Sequence, residues 1–211
     1  MRSVLGAFIA VAVLCGVFIT TSPASAQTAP GAQAEIYLLR GLFNIYSLGM
    51  DSLAAKLQAQ GYAPMVTTWD SAPSVADQII ANHRRGDTAH LVLIGHSLGS
   101  NAVIQIANQL AQYNIPVDLV VTFDVTEPLV VPTNVARFIN FYQRNGFGRP
   151  ATPASGFAGE FSNLDLTADT NLSHANIDES PQLQQFVINR VFELTHTHLG
   201  AVQPKRRAKR S

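Results

Sequence analysis

The chain has 211 residues, of which 47% are hydrophobic and 13% are charged, and its formal net charge at pH 7 is zero. This length suits one compact domain. So apolar a composition excludes a disordered chain, which would be poorer in apolar residues and richer in charge. The zero net charge gives no electrostatic reason to expect nucleic-acid binding, and we predict none.

The N-terminus has the three-part layout of a secretory signal peptide. Arg2 gives a short positive start, residues 4–20 form an almost uninterrupted apolar run, and Ala24-Ser25-Ala26 matches the small-x-small pattern of a cleavage site. We therefore predict that residues 1–26 are a signal peptide and that the protein is exported from a bacterial cell, to the periplasm or beyond. The alternative is a membrane anchor, although a run of 17 residues is short for a span of about 20.

The only cysteine, Cys15, lies inside the predicted signal, so the mature chain would have neither a disulfide nor thiolate chemistry. Five basic residues crowd the last seven positions, which leaves the body from 27 to 204 with eight basic and fourteen acidic residues, a net of −6. We interpret 27–34 as a linker and 201–211 as a basic, disordered tail. A weak contact between this tail and acidic lipid is one interpretation, and a solvated terminus is the other.

Apolar runs and helical periodicities alternate along residues 35–200. The predicted strands are 36–39, 65–69, 91–94, 119–123, 135–142 and 161–166. The predicted helices run from Ser47 to Gly61, from Pro73 to Gly86, directly after Gly95, and from Ser180-Pro181 onward. Residues 91–94 are apolar without alternation, which is typical of a strand buried on both faces in a parallel sheet.

This order predicts an α/β fold, a three-layer sandwich with a mostly parallel sheet of about six strands and no separate lid domain. The stretch 143–160 holds four glycines and two prolines. We expect it to be a long loop beside the functional site, because loops of that length in compact domains are often functional.

Gly95-His96-Ser97-Leu98-Gly99 matches the pattern G-x-S-x-G between the most apolar strand and a periodic helix. A sharp strand-to-helix turn lifts the serine hydroxyl above the sheet edge, and its crowding requires the two glycines. The N-terminus of the next helix offers unpaired N–H groups to a developing oxyanion. The pattern therefore predicts Ser97 as a nucleophile; the alternative is a tight turn with an idle serine.

A serine nucleophile needs a histidine base and a carboxylate, expected in the chain order serine, acid, histidine. Of six histidines, His174 follows the last predicted strand across a polar loop, and we predict it as the base. The others precede Ser97 (His83, His90), adjoin it in a packing position (His96), or lie at or beyond the end of the last helix (His196, His198). The last two form an H-x-H pair without a visible third ligand, so we expect solvated histidines and no metal.

The acid is predicted to be Asp124, which directly ends the strand after the nucleophile's helix. Its rivals are Asp165, Asp169 and Asp178.

The two oxyanion donors are expected to be the backbone N–H groups of Leu98 and Leu42, because Gly41 permits close approach of the first loop. Arg40 in that loop is open to two interpretations, an anion site for substrate or a surface ion pair.

The pentapeptide in this setting, with Asp124 and His174 downstream, resembles the α/β-hydrolase superfamily over most of 35–196. It is most similar to small bacterial members related to lipases and thioesterases, and the stretches 39–50 and 174–178 are similar to bacterial proteins of that group. The chain departs from the common pattern because its first loop lacks a His-Gly pair and its acid follows the first strand after the nucleophile.

This resemblance implies an exported serine hydrolase that cleaves small carboxylic esters or thioesters through an acyl-enzyme. Neither a metal nor an organic cofactor is expected, and the oligomeric state is left open. The alternative from another class is a binding protein that has the same fold without catalysis and presents loop 143–160 to a partner.

Overall fold

The computed structural model describes residues 34–42, 48–86 and 89–196. The described strands are β1 (Ala34–Arg40), β2 (Met65–Thr68), β3 (His90–His96), β4 (Leu119–Phe123), β5 (Val130–Val131), β6 (Arg137–Tyr142), β7 (Thr152–Pro153) and β8 (Glu160–Asp165). The helices are α1 (Leu48–Ala59), α2 (Ala72–Arg84), α3 (Leu98–Ala111) and α4 (Pro181–His196). Two short 3₁₀ turns, Trp69–Ser71 and Ile177–Glu179, lead into α2 and α4.

Six strands form one sheet in the order β2-β1-β3-β4-β6-β8, and every neighbouring pair is parallel. Helices α2 and α3 cover one face, and α1 and α4 cover the other. The central strands β3 and β4 are therefore buried on both sides, as their unbroken apolar runs require. The predicted three-layer α/β architecture with a parallel sheet of six strands is confirmed.

The two layers of helices have separate apolar cores, one on each face of the sheet. The first packs α2 and α3 against the sheet through residues such as Ile79, Val103 and Leu93. The second packs α1 and α4 through residues such as Leu53, Val187 and Val121. Because all strands are parallel, their carboxyl ends meet at one edge, and the loops that carry Ser97, Asp124 and His174 leave from that edge.

Several predicted boundaries differ from the structure. The second strand ends at Thr68 rather than Trp69, because Trp69 starts a 3₁₀ turn that brings the chain into α2 one residue before Pro73. The strand predicted from 135 begins at Arg137; Val135 forms only an isolated bridge to Val117. The predicted loop 143–160 contains β7, which pairs with β5, and strands of two residues leave no periodicity to detect.

The ends of the domain are only partly described. β1 begins at Ala34, the last residue of the predicted linker. The predicted signal peptide, the rest of the linker and the basic tail lie outside the described residues, as does His198. Within the three described ranges, no helix combines the length and the apolar character that crossing a bilayer demands.

Close backbone packing around the turn between β3 and α3 depends on two glycines. A Cβ atom added to Gly99 would lie 1.9 Å from the carbonyl oxygen of Leu39, and one added to Gly95 would lie 2.3 Å from that of Gly99. Since no real Cβ comes so near a backbone oxygen, glycine at these positions lets α3 start directly against β1 and β3.

We expect Gly99→Ala to lower the free energy of unfolding by about 3 kcal/mol, because the added methyl group forces α3 away from β1. Gly146→Ala is the matched control, since a Cβ there meets nothing within 4 Å. Urea unfolding followed by circular dichroism measures both. Equal midpoints for Gly99→Ala and Gly146→Ala would contradict this account of the turn.

Candidate active site

Ser97 lies on the turn between β3 and α3 in a strained backbone conformation. Its φ is 57° and its ψ is −123°, a region that residues other than glycine rarely adopt. The Ser97 N–H donates to the carbonyl oxygen of Phe123 over 2.9 Å. Ser100 Oγ lies 2.8 Å from the carbonyl oxygen of Gly95 and 2.9 Å from that of Phe123. These bonds tie the turn to β3 and β4 and hold the Ser97 hydroxyl at the edge of the sheet.

The imidazole of His174 connects Ser97 to Asp124. Its Nε2 lies 2.9 Å from Ser97 Oγ, and its Nδ1 lies 3.0 Å from Asp124 Oδ2. An ionised carboxylate only accepts hydrogen bonds, so Nδ1 carries the proton and Nε2 is left to accept from the serine hydroxyl. The structure thus brings together the three residues that the sequence predicted as nucleophile, base and acid.

Asp124 is completely buried and has a φ of 53°. Its Oδ1 accepts the N–H of Gln143 over 2.9 Å, which leaves Oδ2 for His174. The backbone of Gly148 passes so near that an added Cβ would lie 2.3 Å from Oδ1. The loop after β6 therefore fixes the orientation of this carboxylate.

The rival acids have other contacts. Asp165 pairs with Arg144 over 2.6 Å. Asp169 is exposed and accepts the N–H of Asn171 over 3.0 Å. Asp178 is buried behind α1, and its Oδ2 lies 3.8 Å from His96 Nδ1. Among the described residues it is Asp124 whose carboxylate hydrogen-bonds the imidazole of His174.

His96 is buried, as the sequence interpretation expected, but it does more than pack. Its Nε2 lies 2.8 Å from the carbonyl oxygen of His174, and the two rings are 5.0 Å apart between centroids. Burial, and secondly the nearby His174, lower the pKa of His96 to about 4. Burial raises the pKa of Asp178 to about 7. The sequence analysis interpreted His96 as a packing residue and Asp178 as a rival acid, and it did not predict the bond from His96 to the main chain of His174.

The predicted oxyanion donors border the nucleophile. A Cβ added to Gly41 would lie 2.8 Å from Ser97 Cβ and 3.3 Å from its Oγ, so the end of β1 passes directly against the serine. Leu42 follows Gly41, and Leu98 is the first residue of α3. The first N–H groups of a helix have no partner within that helix, so the Leu98 N–H has none within α3. Residues 43–47 of the first loop lie outside the described ranges.

Arg40 forms an ion pair, one of its two predicted roles. Its Nε donates to Asp51 Oδ2 over 2.7 Å, and its Nη2 contacts the other oxygen of the same carboxylate. The guanidinium holds the pKa of the Asp51 carboxyl below its usual range. Arg40 therefore anchors the end of β1 to α1.

An exposed aromatic ring borders the imidazole. Phe147 has 63% of its surface exposed, and its ring centroid lies 4.9 Å from that of His174. The segment around it is held because the Arg149 N–H donates to the carbonyl oxygen of Val125 over 2.8 Å. This part of the predicted loop 143–160 thus lies beside the site. Leu42, which follows Gly41 in sequence, is a second exposed apolar residue.

In the part of the chain that the structure describes, no group of three or more His, Cys, Asp or Glu residues is placed to hold a metal ion. His196 stacks on Phe192, and its Nδ1 lies 2.9 Å from the carbonyl oxygen of that residue.

No family model matches the chain, and no curated protein matches it. The chain is similar to a solved structure from Xanthomonas campestris pv. campestris that is described as a candidate hydrolase of the alpha/beta superfamily. The identity is 15% and the TM-score is 0.47, and the similarity covers 77% of this chain and 98% of that chain.

The buried carboxyl of Asp178 makes stability depend on pH. Because its pKa is raised to about 7 in the folded protein, the folded state keeps a proton that the unfolded state releases above about pH 4. Folding is therefore disfavoured progressively from about pH 4 to pH 7, and the full cost remains above that range. We expect Asp178→Asn, which cannot ionise, to raise the free energy of unfolding at pH 8 by about 2–4 kcal/mol.

Near pH 4 the two proteins should have nearly equal free energies of unfolding, because Asp178 of the wild type is then protonated in the folded state and still about half protonated in the unfolded state. His96 adds the opposite trend below about pH 6.5, but it is present in both proteins and cancels. Urea unfolding at pH 4 and pH 8 measures the two differences. If Asp178→Asn increased the free energy of unfolding more at pH 4 than at pH 8, ionisation of the buried carboxyl would not be the cause of the pH dependence.

Proposed function

We propose that this protein is a serine hydrolase of the α/β-hydrolase type that cleaves small carboxylic esters or thioesters. The observation that carries the proposal is the imidazole of His174 hydrogen-bonded to both Ser97 Oγ and Asp124 Oδ2. The same arrangement of nucleophile, base and acid performs acyl transfer on several unrelated folds, so it is recognised by geometry rather than by sequence position. The signal-like residues 1–26 support a place of action outside the cytoplasm.

In the proposed mechanism, Ser97 Oγ attacks the acyl carbon while His174 Nε2 accepts the hydroxyl proton. Asp124 stabilises the imidazolium that forms and holds the ring in the required orientation. The imidazolium then gives its proton to the departing alcohol or thiol, which leaves an acyl-enzyme on Ser97. Water, deprotonated by the same Nε2, attacks the acyl-enzyme and releases the carboxylic acid.

The negative charge on the tetrahedral intermediate needs donors fixed in advance. We assign this role to the backbone N–H groups of Leu98 and Leu42. The positive end of the α3 dipole favours an anion at the same place. A donor of this kind contributes about 3 kcal/mol to transition-state stabilisation, so the strained turn at Ser97 matters as much as the triad itself.

Among the described residues, two exposed side chains in this region, those of Phe147 and Leu42, are apolar. Phe147 contacts the His174 ring, and Leu42 follows the segment that passes against Ser97. These side chains favour a substrate with an uncharged, apolar acyl or alcohol group next to the scissile bond, because such a group can cover them from water. This supports esters and thioesters over strongly charged substrates.

We expect Ser97→Ala to lower kcat for p-nitrophenyl acetate at least about a thousandfold, because the acyl-enzyme cannot form. The melting temperature should stay nearly unchanged, since the hydroxyl makes its contact with a loop histidine rather than with the core. Ser162→Ala, on the exposed side of β8, is the matched control and should keep full activity. Equal turnover by Ser97→Ala and the wild type would overturn the proposed function.

The identity of the acid is tested by Asp124→Asn beside Asp169→Asn. An asparagine at position 124 can donate to His174 Nδ1, which would move the imidazole proton to Nε2 and remove the base. We expect kcat to fall about 10³- to 10⁴-fold. Asp169→Asn should leave kcat within about twofold, because that carboxylate contacts its own exposed turn. The reverse pattern in an ester-hydrolysis assay would identify Asp169 as the acid.

A further inference from the structure

His174 is carried by a loop with little core packing. Residues 167–176, between β8 and the 3₁₀ turn Ile177–Glu179, are all exposed or half-buried. Several of the loop's hydrogen bonds are internal; for example, Asn176 Oδ1 accepts the Ser173 N–H over 2.6 Å. From outside the loop, Gln143 Nε2 donates to the carbonyl oxygen of Asp169 over 3.1 Å. Yet a general base must be held to a fraction of an ångström relative to its nucleophile. Something outside the loop must therefore fix the main chain at His174.

The contact that does so comes from His96, the residue directly before Ser97. Its Nε2 lies 2.8 Å from the carbonyl oxygen of His174. His96 is the last residue of β3 and Ser97 begins the turn that follows, so two consecutive residues contact His174, one at its carbonyl oxygen and one at its imidazole. The side chain of His174 is held by Asp124, and its main chain is held by His96. The base is thus fixed at two points, and one of them belongs to the turn that carries the nucleophile.

The tautomer of His96 follows from its partner. A carbonyl oxygen only accepts hydrogen bonds, so Nε2 carries the proton and a neutral ring has its lone pair on Nδ1. Nδ1 lies 3.8 Å from Asp178 Oδ2, and neither carboxyl oxygen of Asp178 has a hydrogen-bond partner among the described residues. This separation is too long for a hydrogen bond. An imidazolium at His96 would oppose the positive charge that His174 must acquire.

The surroundings of Asp178 favour the neutral carboxyl. The backbone of Gly49, at the start of α1, packs so closely that an added Cβ would lie 2.5 Å from Asp178 Cγ. The facing ionisable groups are His96 on β3, Asp124 after β4 and Glu179 in the same turn, and the two carboxylates disfavour a further negative charge. The same burial disfavours charge on the His96 ring.

We propose that His96 is a positioning residue for the reaction, one that fixes the main chain of His174 through its Nε2–H. This inference rests on the proposed hydrolase function. The G-x-S-x-G segment of this chain thereby supplies the nucleophile and also one of the two anchors of the base, so the distance between Ser97 Oγ and His174 Nε2 is set partly from within the motif.

Two amide variants separate this role from simple packing. In His96→Gln the side-chain N–H₂ can occupy the place of Nε2 and still reach the carbonyl oxygen of His174, whereas the shorter amide of His96→Asn cannot. We expect His96→Asn to lower kcat for p-nitrophenyl acetate about tenfold to a hundredfold with little change in KM, because the base is misplaced. His96→Gln should recover kcat to within about threefold of the wild type.

A second measurement, by NMR, does not depend on catalytic activity. The His174 Nδ1 proton, bonded to Asp124, should give a low-field proton NMR resonance in the wild type and in His96→Gln, and this resonance should broaden or vanish in His96→Asn. Circular dichroism and cooperative unfolding check that each variant is folded. If His96→Asn does not fold, His96→Leu, which also lacks the donor, replaces it.

The outcomes are distinguishable. A wild-type protein without turnover would refute the hydrolase function, while the resonance would still decide whether His96 fixes His174. Equal kcat and an equally sharp resonance in the two amide variants would overturn the positioning role. The positioning role would also be overturned if kcat and the resonance decreased as much in His96→Gln as in His96→Asn.

Discussion

The hydrogen bond between His174 Nε2 and Ser97 Oγ joins residues 77 positions apart in sequence, and much of the local structure holds its two ends in place. One end is on a turn with a positive φ at Ser97, and the imidazole is oriented by Asp124, which also has a positive φ. Each such conformation costs about 1–3 kcal/mol and persists only where the surroundings impose it. Here the surroundings are β3 and β4, neighbouring strands that pair over five residues. A parallel sheet buried on both faces provides the rigidity that both turns require.

Two buried polar side chains behind this site, His96 and Asp178, lower the free energy of unfolding. Burial lowers the pKa of His96 and raises the pKa of Asp178, so it favours the neutral form of each side chain. Asp178 therefore lowers the free energy of unfolding as the pH rises from about 4 to about 7, and His96 lowers it as the pH falls from about 6.5 to about 4. An apolar pair of similar volume would avoid this loss. An apolar pair could not donate a hydrogen bond to the carbonyl oxygen of His174, as His96 does, which is consistent with the presence of polar groups here.

The residues of the candidate triad were accessible to sequence reasoning because each is tied to a local pattern. Ser97 lies in a five-residue motif after a continuous apolar strand, Asp124 directly ends the next strand, and His174 follows the last predicted strand across a polar loop. Parallel strands end at one edge of the sheet, so residues that follow different strands could be predicted to lie close together. The six-stranded sheet was predicted for the same reason, since strands and helices alternate with clear periodicities.

The contacts that refine the site could not be predicted in this way. The bond from His96 to a backbone carbonyl 78 residues away leaves no trace in composition or spacing. Burial of Asp178 depends on how α1 packs against the turn before α4, and the position of Phe147 beside His174 depends on hydrogen bonds between loops. Such features arise from long-range packing, which local patterns do not encode.

The central claim about this molecule is that Ser97 is a nucleophile activated by the His174 base. Incubating the protein with a fluorophosphonate and mapping the adduct by mass spectrometry measures this, because the reagent bonds to an activated serine with loss of fluoride. The account predicts a single adduct on Ser97 that forms much more slowly in His174→Ala. A folded protein that forms no adduct, or that reacts at another residue at the same rate with and without His174, would contradict it.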